Sequence, residues 1–123
     1  MGTAMKEHFG VFREENSMAE GIDKIQSVKE RAEKVYVADK TKTFNTNLLF
    51  TLELEFMIEC AETIAASAID RKESRGAHTR TDMPDRDDAN WMKHILVNKT
   101  DDAHDISYQD VVITEWEPQI RQY

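Results

Sequence analysis

Apolar residues follow two different rhythms along this chain. Through the first seventy positions they recur every three or four residues, the period of helices lying against a core. Beyond His94 they gather into short runs rich in β-branched and aromatic residues, which favour strands. The first helical stretch is short, about Thr3 to Phe9, with Met5, Phe9 and Phe12 as its apolar contacts and Gly10 as its stop. A second begins at Ser17, where Ser17-Met18-Ala19-Glu20 reads as a capping box. Its apolar residues Ile22, Ile25, Val28, Ala32 and Val35 step by three and four, leaving Asp23, Lys24, Lys29, Glu30 and Glu33 outside.

A linker from Ala38 to Phe44 leads to a third helix capped by Asn45 or Thr46 and running to about Arg71, roughly 40 Å at 1.5 Å per residue. At 100° per residue, Leu49, Phe50, Leu52, Leu54, Phe56, Met57, Cys60, Ala61, Ile64 and Ala68 fill a wide apolar arc, with Glu55, Glu59 and Glu62 as the solvent stripe. A helix apolar over most of its circumference is expected to be central and touched from several sides. Glu53 lies inside that arc, where a buried charge costs several kcal/mol unless paired, so a basic or backbone partner is expected.

After His78 the helical signal fails. Thr79 to Asp88 reads as a loop, and Asp88 to His94 as a helical turn capped by Asp87 or Asp88. His94–Val97 and Ser107–Trp116 read as two strands, separated by Asn98-Lys99-Thr100-Asp101-Asp102. The expected fold is mainly α: one domain over residues 1–123, an antiparallel three-helix bundle with a small C-terminal β-hairpin, and Ile22, Ile25, Val28, Leu52, Phe56, Ile64 and Ala68 buried.

A net charge of −8 argues against nucleic acid or an anionic membrane surface as partner. No apolar run approaches the roughly 18 residues of a membrane span, so no direct membrane insertion is expected. Met1-Gly2-Thr3-Ala4 lacks the apolar core of a signal peptide and reads as an artificial start. Cys60 is the single cysteine, which excludes an internal disulfide and suits a reducing compartment.

The chemistry-bearing residues do not assemble into a catalytic pattern. Glu53 has no acid or base at i±3 or i±4 on its face, and a structural ion pair is its expected role. His78 and His94 lack the further ligands a zinc site needs. Asp82, Asp85, Asp87 and Asp88 miss the glycine and closing glutamate of a calcium loop, and read as a solvated acidic turn with capping duty. Ser74 lacks the flanking glycines of a nucleophile elbow, and Gly76 supplies the left-handed turn that ends the long helix. The four glycines, Gly2, Gly10, Gly21 and Gly76, are too scattered to cradle a phosphate.

Two segments are more specific: Glu73-Ser74-Arg75-Gly76-Ala77-His78, and Pro84-Asp85-Arg86-Asp87-Asp88 leading to Asn90-Trp91-Met92-Lys93-His94. With Val11-Phe12-Arg13, Phe44-Asn45-Thr46, Leu52-Glu53-Leu54 and Ile120-Arg121-Gln122-Tyr123, they resemble the C-terminal domain of the flavoprotein subunit of succinate dehydrogenase and fumarate reductase, a domain shared with L-aspartate oxidase. The resemblance covers nearly the whole chain. It implies a parent that interconverts succinate and fumarate by hydride transfer with FAD and passes electrons through an iron–sulfur subunit to membrane quinone. It also implies that the FAD-binding and capping domains, which carry the substrate-binding and flavin-attaching residues, lie outside this chain. Neither catalytic nor cofactor-binding nor metal residues are then expected here.

The short loop from His78 to Trp91 looks prokaryotic, which would place the parent complex, with its membrane anchor, on the cytoplasmic face of a prokaryotic membrane. By the same resemblance Glu73, Arg75, Gly76, His78 and Arg80 are candidates for contact with the flavin domain, and Arg75 and Arg80 are expected to be partly exposed. The competing readings are an L-aspartate oxidase domain, which usually lacks the Ile-Arg-x-Tyr ending, and a free-standing helical interaction module.

Overall fold

The computed structural model of the chain describes residues 1–100 and 103–119. The hairpin turn expected at Asp101-Asp102 and the closing Ile120-Arg121-Gln122-Tyr123 motif lie outside the described residues. The fold is mainly helical with a small two-stranded antiparallel sheet, as the apolar rhythms predict.

Helix α1 spans Gly2–His8, and α2 spans Glu15–Ala32. The second helix starts earlier than the capping box predicts: its N-cap is Glu14, and no side chain caps it. Ser17 lies within the first turn, and its hydroxyl meets His8 Nδ1 at 2.9 Å. That bond joins α1 to α2 instead of closing a helix end. The helices approach so closely there that a Cβ at Gly21 would lie 2.5 Å from the Phe9 ring and 2.6 Å from the His8 Cβ. Only glycine fits at that contact.

Helix α3 spans Thr46–Asp70, and the Asn45 side chain accepts from the Leu48 N–H at 2.8 Å, as predicted for its cap. Helices α2 and α3 run in opposite directions. Glu15, at the start of α2, meets Lys72 beyond the end of α3, and Lys29, near the end of α2, pairs with Glu62. The core comprises Phe9, Met18, Ile25, Ala61, Ala65 and Ala68. Its third-helix component is small because alanines let two helix backbones come close.

That seam corrects the expected face of α3. Ile58, Ala61, Ala65 and Ala68 point inward, whereas Leu52, Phe56 and Ile64, expected in the core, are 48%, 62% and 48% exposed. Ile22 is exposed and Val28 half-buried, against the same expectation. Glu53 lies on the exposed arc and needs no partner. Of the expected solvent stripe, Glu55 is exposed, whereas Glu59 pairs with Lys99 of the hairpin and Glu62 with Lys29 of α2.

Beyond α3 the backbone makes two small sheets. Strand β1 (Phe12–Arg13) pairs in parallel with β2 (Thr79–Arg80), inside the segment expected to be a loop. A two-residue pairing is too short to leave a periodic trace in the sequence. A helical turn, α4 (Asp88–Trp91), is capped by the Asp87 side chain on the Asn90 N–H, and it ends before the expected His94. Strands β3 (Lys93–Lys99) and β4 (His104–Asp110) form the hairpin, with Ile95 opposite Tyr108 and Val97 opposite Ile106. The second strand was expected at Ser107–Trp116. It starts and ends earlier, and Val112, Ile113 and Thr114 fall outside it despite their strand propensity. The hairpin packs on α3 through both of its strands.

Candidate functional site

The residues with the strongest chemistry converge just past the end of α3. Arg71 leaves that helix in extended conformation. Gly76 adopts φ +59°, a left-handed turn that favours glycine, but it lies beyond the end of α3 at Asp70 and does not end that helix as expected. Around it the chain doubles back, with the Arg75 N–H donating to the His78 carbonyl at 2.9 Å and the His78 N–H to the Arg75 carbonyl at 3.0 Å. Ser74 holds the turn that follows. Its hydroxyl accepts from the Arg80 N–H at 2.8 Å and donates to the Met83 carbonyl at 2.8 Å. A hydroxyl committed in this way positions backbone and leaves no nucleophile.

Glu73 is fully buried, and three groups meet its carboxylate. Arg71 donates to Oε1 at 2.5 Å; Arg75 donates to Oε1 at 2.6 Å and to Oε2 at 2.9 Å; the Asp87 N–H donates to Oε2 at 2.8 Å. Burial alone pushes this carboxyl up, but the Arg75, Asp87 and Arg71 hydrogen bonds outweigh it and hold the group below its ordinary value. Both guanidiniums reach further. Arg71 donates to the carbonyls of Trp91 and Lys93 at 3.1 and 2.8 Å and lies over the Trp91 ring, tying the hairpin to the helix end. Arg75 reaches Asp88 at 2.6 Å; Asp88 in turn takes Arg86, which donates to the Gln119 carbonyl.

Arg80 contradicts the expectation of partial exposure: it too is fully buried. It grips Asp82 through two bonds of 2.7 and 2.6 Å, reaches Glu15 of α2 at 3.1 Å, and donates to the Arg71 carbonyl at 3.0 Å. The Arg80 hydrogen bonds hold the Asp82 carboxyl far below the usual carboxylate range. The acidic turn is therefore ion-paired and not simply solvated: Asp82 serves Arg80, Asp88 serves Arg75, and Asp87 caps α4. A buried arginine is affordable only with such partners, and β1–β2 pairing brings them together.

His78 and His94 line one cleft with Arg13 and Arg71, and they form no metal site with other ligands: among the described residues no group of three or more His, Cys, Asp or Glu is placed to hold an ion. Arg13 Nη1 donates to His78 Nδ1 at 2.7 Å. Burial and the neighbouring Arg13 charge push the His78 pKa down, so the ring is neutral with its proton on Nε2. No glycine stands at a strand-to-helix junction that could approach a diphosphate; Gly21 sits against Phe9 and His8, and Gly76 in its turn. A dinucleotide such as FAD does not fit these residues.

Of the sequence-predicted residues, Glu73 and Arg75 join one ion-pair network and Arg80 anchors a second, the two linked by the Arg80 hydrogen bond to the Arg71 carbonyl. Gly76 makes the turn beside them, and His78 turns away toward Arg13. Glu15, Asp82, Arg71 and Arg13 escaped prediction as members of this region. The usable signal was the spacing Arg71-x-Glu73-x-Arg75, which puts three charges on one side of extended chain.

Against known proteins, residues 1–123 match the family described as fumarate reductase flavoprotein C-term. The fumarate reductase flavoprotein subunit of Haemophilus influenzae is 45% identical over 124 residues, covering 100% of this chain and 21% of that protein. The succinate dehydrogenase flavoprotein subunit of Coxiella burnetii is 44% identical over 111 residues, covering 90% of this chain and 18% of its own length. A solved structure of Escherichia coli quinol fumarate reductase superimposes with a TM-score of 0.91 at 41% identity, over 96% of this chain and 21% of that one. The chain thus spans about a fifth of the length of the curated relatives it matches.

Proposed function

Because the chain belongs to the family of fumarate reductase flavoprotein C-terminal domains, we propose that it serves as the structural docking domain of a flavoprotein subunit that interconverts succinate and fumarate. In that reading FAD and the reacting groups sit in the FAD-binding and capping domains, and electrons pass through an iron–sulfur subunit to quinone. The complex is anchored at the cytoplasmic face of a prokaryotic membrane. Relatives named both as fumarate reductase and as succinate dehydrogenase flavoprotein subunits support the reaction pair, and a quinol-fumarate reductase solved with menaquinol supports the quinone. Among the described residues no helix is long and apolar enough to cross a membrane, so anchoring falls to other subunits.

One observation carries the docking role. The outward arc of α3 exposes Leu49, Leu52, Phe56, Met57 and Ile64, each 48–62% accessible, with exposed Glu53 among them. Large apolar side chains gathered on one exposed face mark a covered surface, and the relatives are about five times as long as this chain. The finer architecture we read as a single domain whose helices form an antiparallel three-helix bundle, supported by the opposite course of α2 and α3. Within the Glu73–Arg80 segment Glu73 and Arg80 serve the domain's interior, leaving Arg75, Gly76 and His78 as the candidates for contact with the flavin domain.

The test is Phe56→Glu in the full-length subunit. The docking role predicts loss of flavin retention and of subunit assembly, with the fold of this domain kept. Normal flavin content and assembly would remove the proposal.

A further inference from the structure

Among the described residues Arg13 is a cation without an anion. Its side chain donates to the Gly10 carbonyl at 2.7 Å, to the Phe9 carbonyl at 3.0 Å and to His78 Nδ1 at 2.7 Å, all neutral acceptors. No carboxylate pairs with it among the described residues; Arg31 also lacks one but is exposed to solvent, whereas the partly or fully buried Arg71, Arg75, Arg80 and Arg86 each have one. A guanidinium has five N–H donors; five less the three engaged leaves two, the number that a bidentate carboxylate takes.

The surroundings have the same character. Arg13 lines an open cleft of about 470 Å³ whose walls include Arg71, His78, His94, Thr63 and Ser67 and no acidic residue. In a chain of net charge −8, an acid-free cleft that holds the unpaired Arg13 is a local inversion of charge. The Thr63 and Ser67 hydroxyls donate back to the carbonyls of Cys60 and Thr63, and Arg71 is taken by Glu73, so Arg13 holds the free donors. With Nδ1 accepting from Arg13, the remaining N–H of His78 is at Nε2, a buried atom with no hydrogen-bond partner among the described residues. Ile64, which also lines the cleft, belongs to the exposed apolar band of α3, so the cleft is where that band ends.

We propose that this cleft receives an aspartate or glutamate side chain from the remainder of the full-length subunit, paired with Arg13 at the end of the apolar docking face. The inference rests on the docking reading above and adds to it a charged anchor. A carboxylate suits the place because it neutralises a partly desolvated guanidinium, where a neutral group would leave the charge uncompensated. An apolar face gives area, and one buried ion pair at its edge fixes register.

The experiment uses the full-length subunit carrying Arg13→Lys, treated with a water-soluble carbodiimide and mapped by peptide mass spectrometry. The reagent activates a carboxylate in direct contact, the introduced amine attacks it, and an amide forms while the oxygen leaves on the urea. The expected result is one dominant link from position 13 to a single aspartate or glutamate outside residues 1–123. Links only to acids within residues 1–123, or a position 13 amine left free, overturn the proposal. Blocking of that amine by added acetate, with no outside link, also overturns it, in favour of a free anion. Phe56→Glu separates the two levels. If that variant loosens the domain and no outside link forms, only the anchor is wrong. If the domain stays docked, the docking reading falls and the anchor with it.

Discussion

The two ends of α3 invert the usual rule in opposite ways. Toward its N-terminus large apolar side chains face outward; Phe56 is 62% exposed and Leu52 48%. Just past its C-terminus a glutamate and an arginine, Glu73 and Arg80, are completely enclosed. Each exception has its own physical sense. The buried charges are satisfied inside the domain, by guanidinium–carboxylate pairs and by the backbone groups of Asp87 and Arg71. The exposed apolar side chains of α3 are covered by nothing among the described residues. Interior polarity here is finished business, whereas exterior hydrophobicity asks for a further body. The difference separates residues that hold this domain together from residues that join it to something else.

The comparison can be broken most severely at Glu73. Replacing it by alanine removes the carboxylate that holds Arg71 and one of the two that hold Arg75, and we expect a loss of about 3–5 kcal/mol in denaturant unfolding, the cost of breaking a buried pair from one side. A loss under about 1 kcal/mol would put the network on a par with surface ion pairs. Arg80→Met should cost about 3 kcal/mol on the same principle, because Asp82 and Glu15 lose their shared cation.

Phe56→Ser sharpens the other side. Removing an exposed ring should change the unfolding free energy of this domain by no more than about 0.5 kcal/mol, while weakening assembly of the full subunit. A large intrinsic loss would mean that the band belongs to the domain's own core.

The pH dependence has a defined sign. Glu73 and Asp82 both have carboxyls held below their ordinary values, 4.5 and 3.8 respectively. Their contribution is fully present above those values and is lost as pH falls through the folded-state values. Unfolding free energy should therefore be level from neutral pH to about 5 and drop in more acid solution. In Glu73→Gln the drop should be shallower, because one linked proton is gone. The smallest effects are local: Gly76→Ala, at φ +59° with open space around it, and Asn45→Ala, which removes the α3 cap, should each cost about 1 kcal/mol in thermal unfolding.

Periodicity made α1, α2, α3 and the hairpin legible, and Asn45 and Asp87 announced themselves as caps. The inward face of α3 was misread because hydrophobic ranking favours Leu52 and Phe56 over Ala61 and Ala65. Close helix packing selects the small residues, and a docking face selects the large ones. The same error gave Glu53 a partner it does not need. At the candidate site, the sequence announced the turn at Gly76 and the charged residues around it. It concealed that Glu73 and Arg80 look inward, because Glu15 reaches Arg80 only through the two-residue pairing of β1 with β2, and the Asp87 N–H reaches Glu73 only once the chain has turned back. Arg13 was visible as part of a family motif, but its lack of an acid becomes apparent only beside the paired Arg71, Arg75, Arg80 and Arg86.

Cys60 offers the most direct test of the central claim, that the outward arc of α3 is covered in the full-length subunit. It is a free, exposed thiol on that arc, between Met57 and Ile64. The measurement is its alkylation rate in native full-length subunit, followed by peptide mapping and compared with the same protein in denaturant. The account predicts strong protection in the native subunit, at least a hundredfold by the roughly 3 kcal/mol that opening a packed face would require. Alkylation of native Cys60 at close to the denatured rate would contradict it, leaving α3 with an exposed apolar face and no docking role.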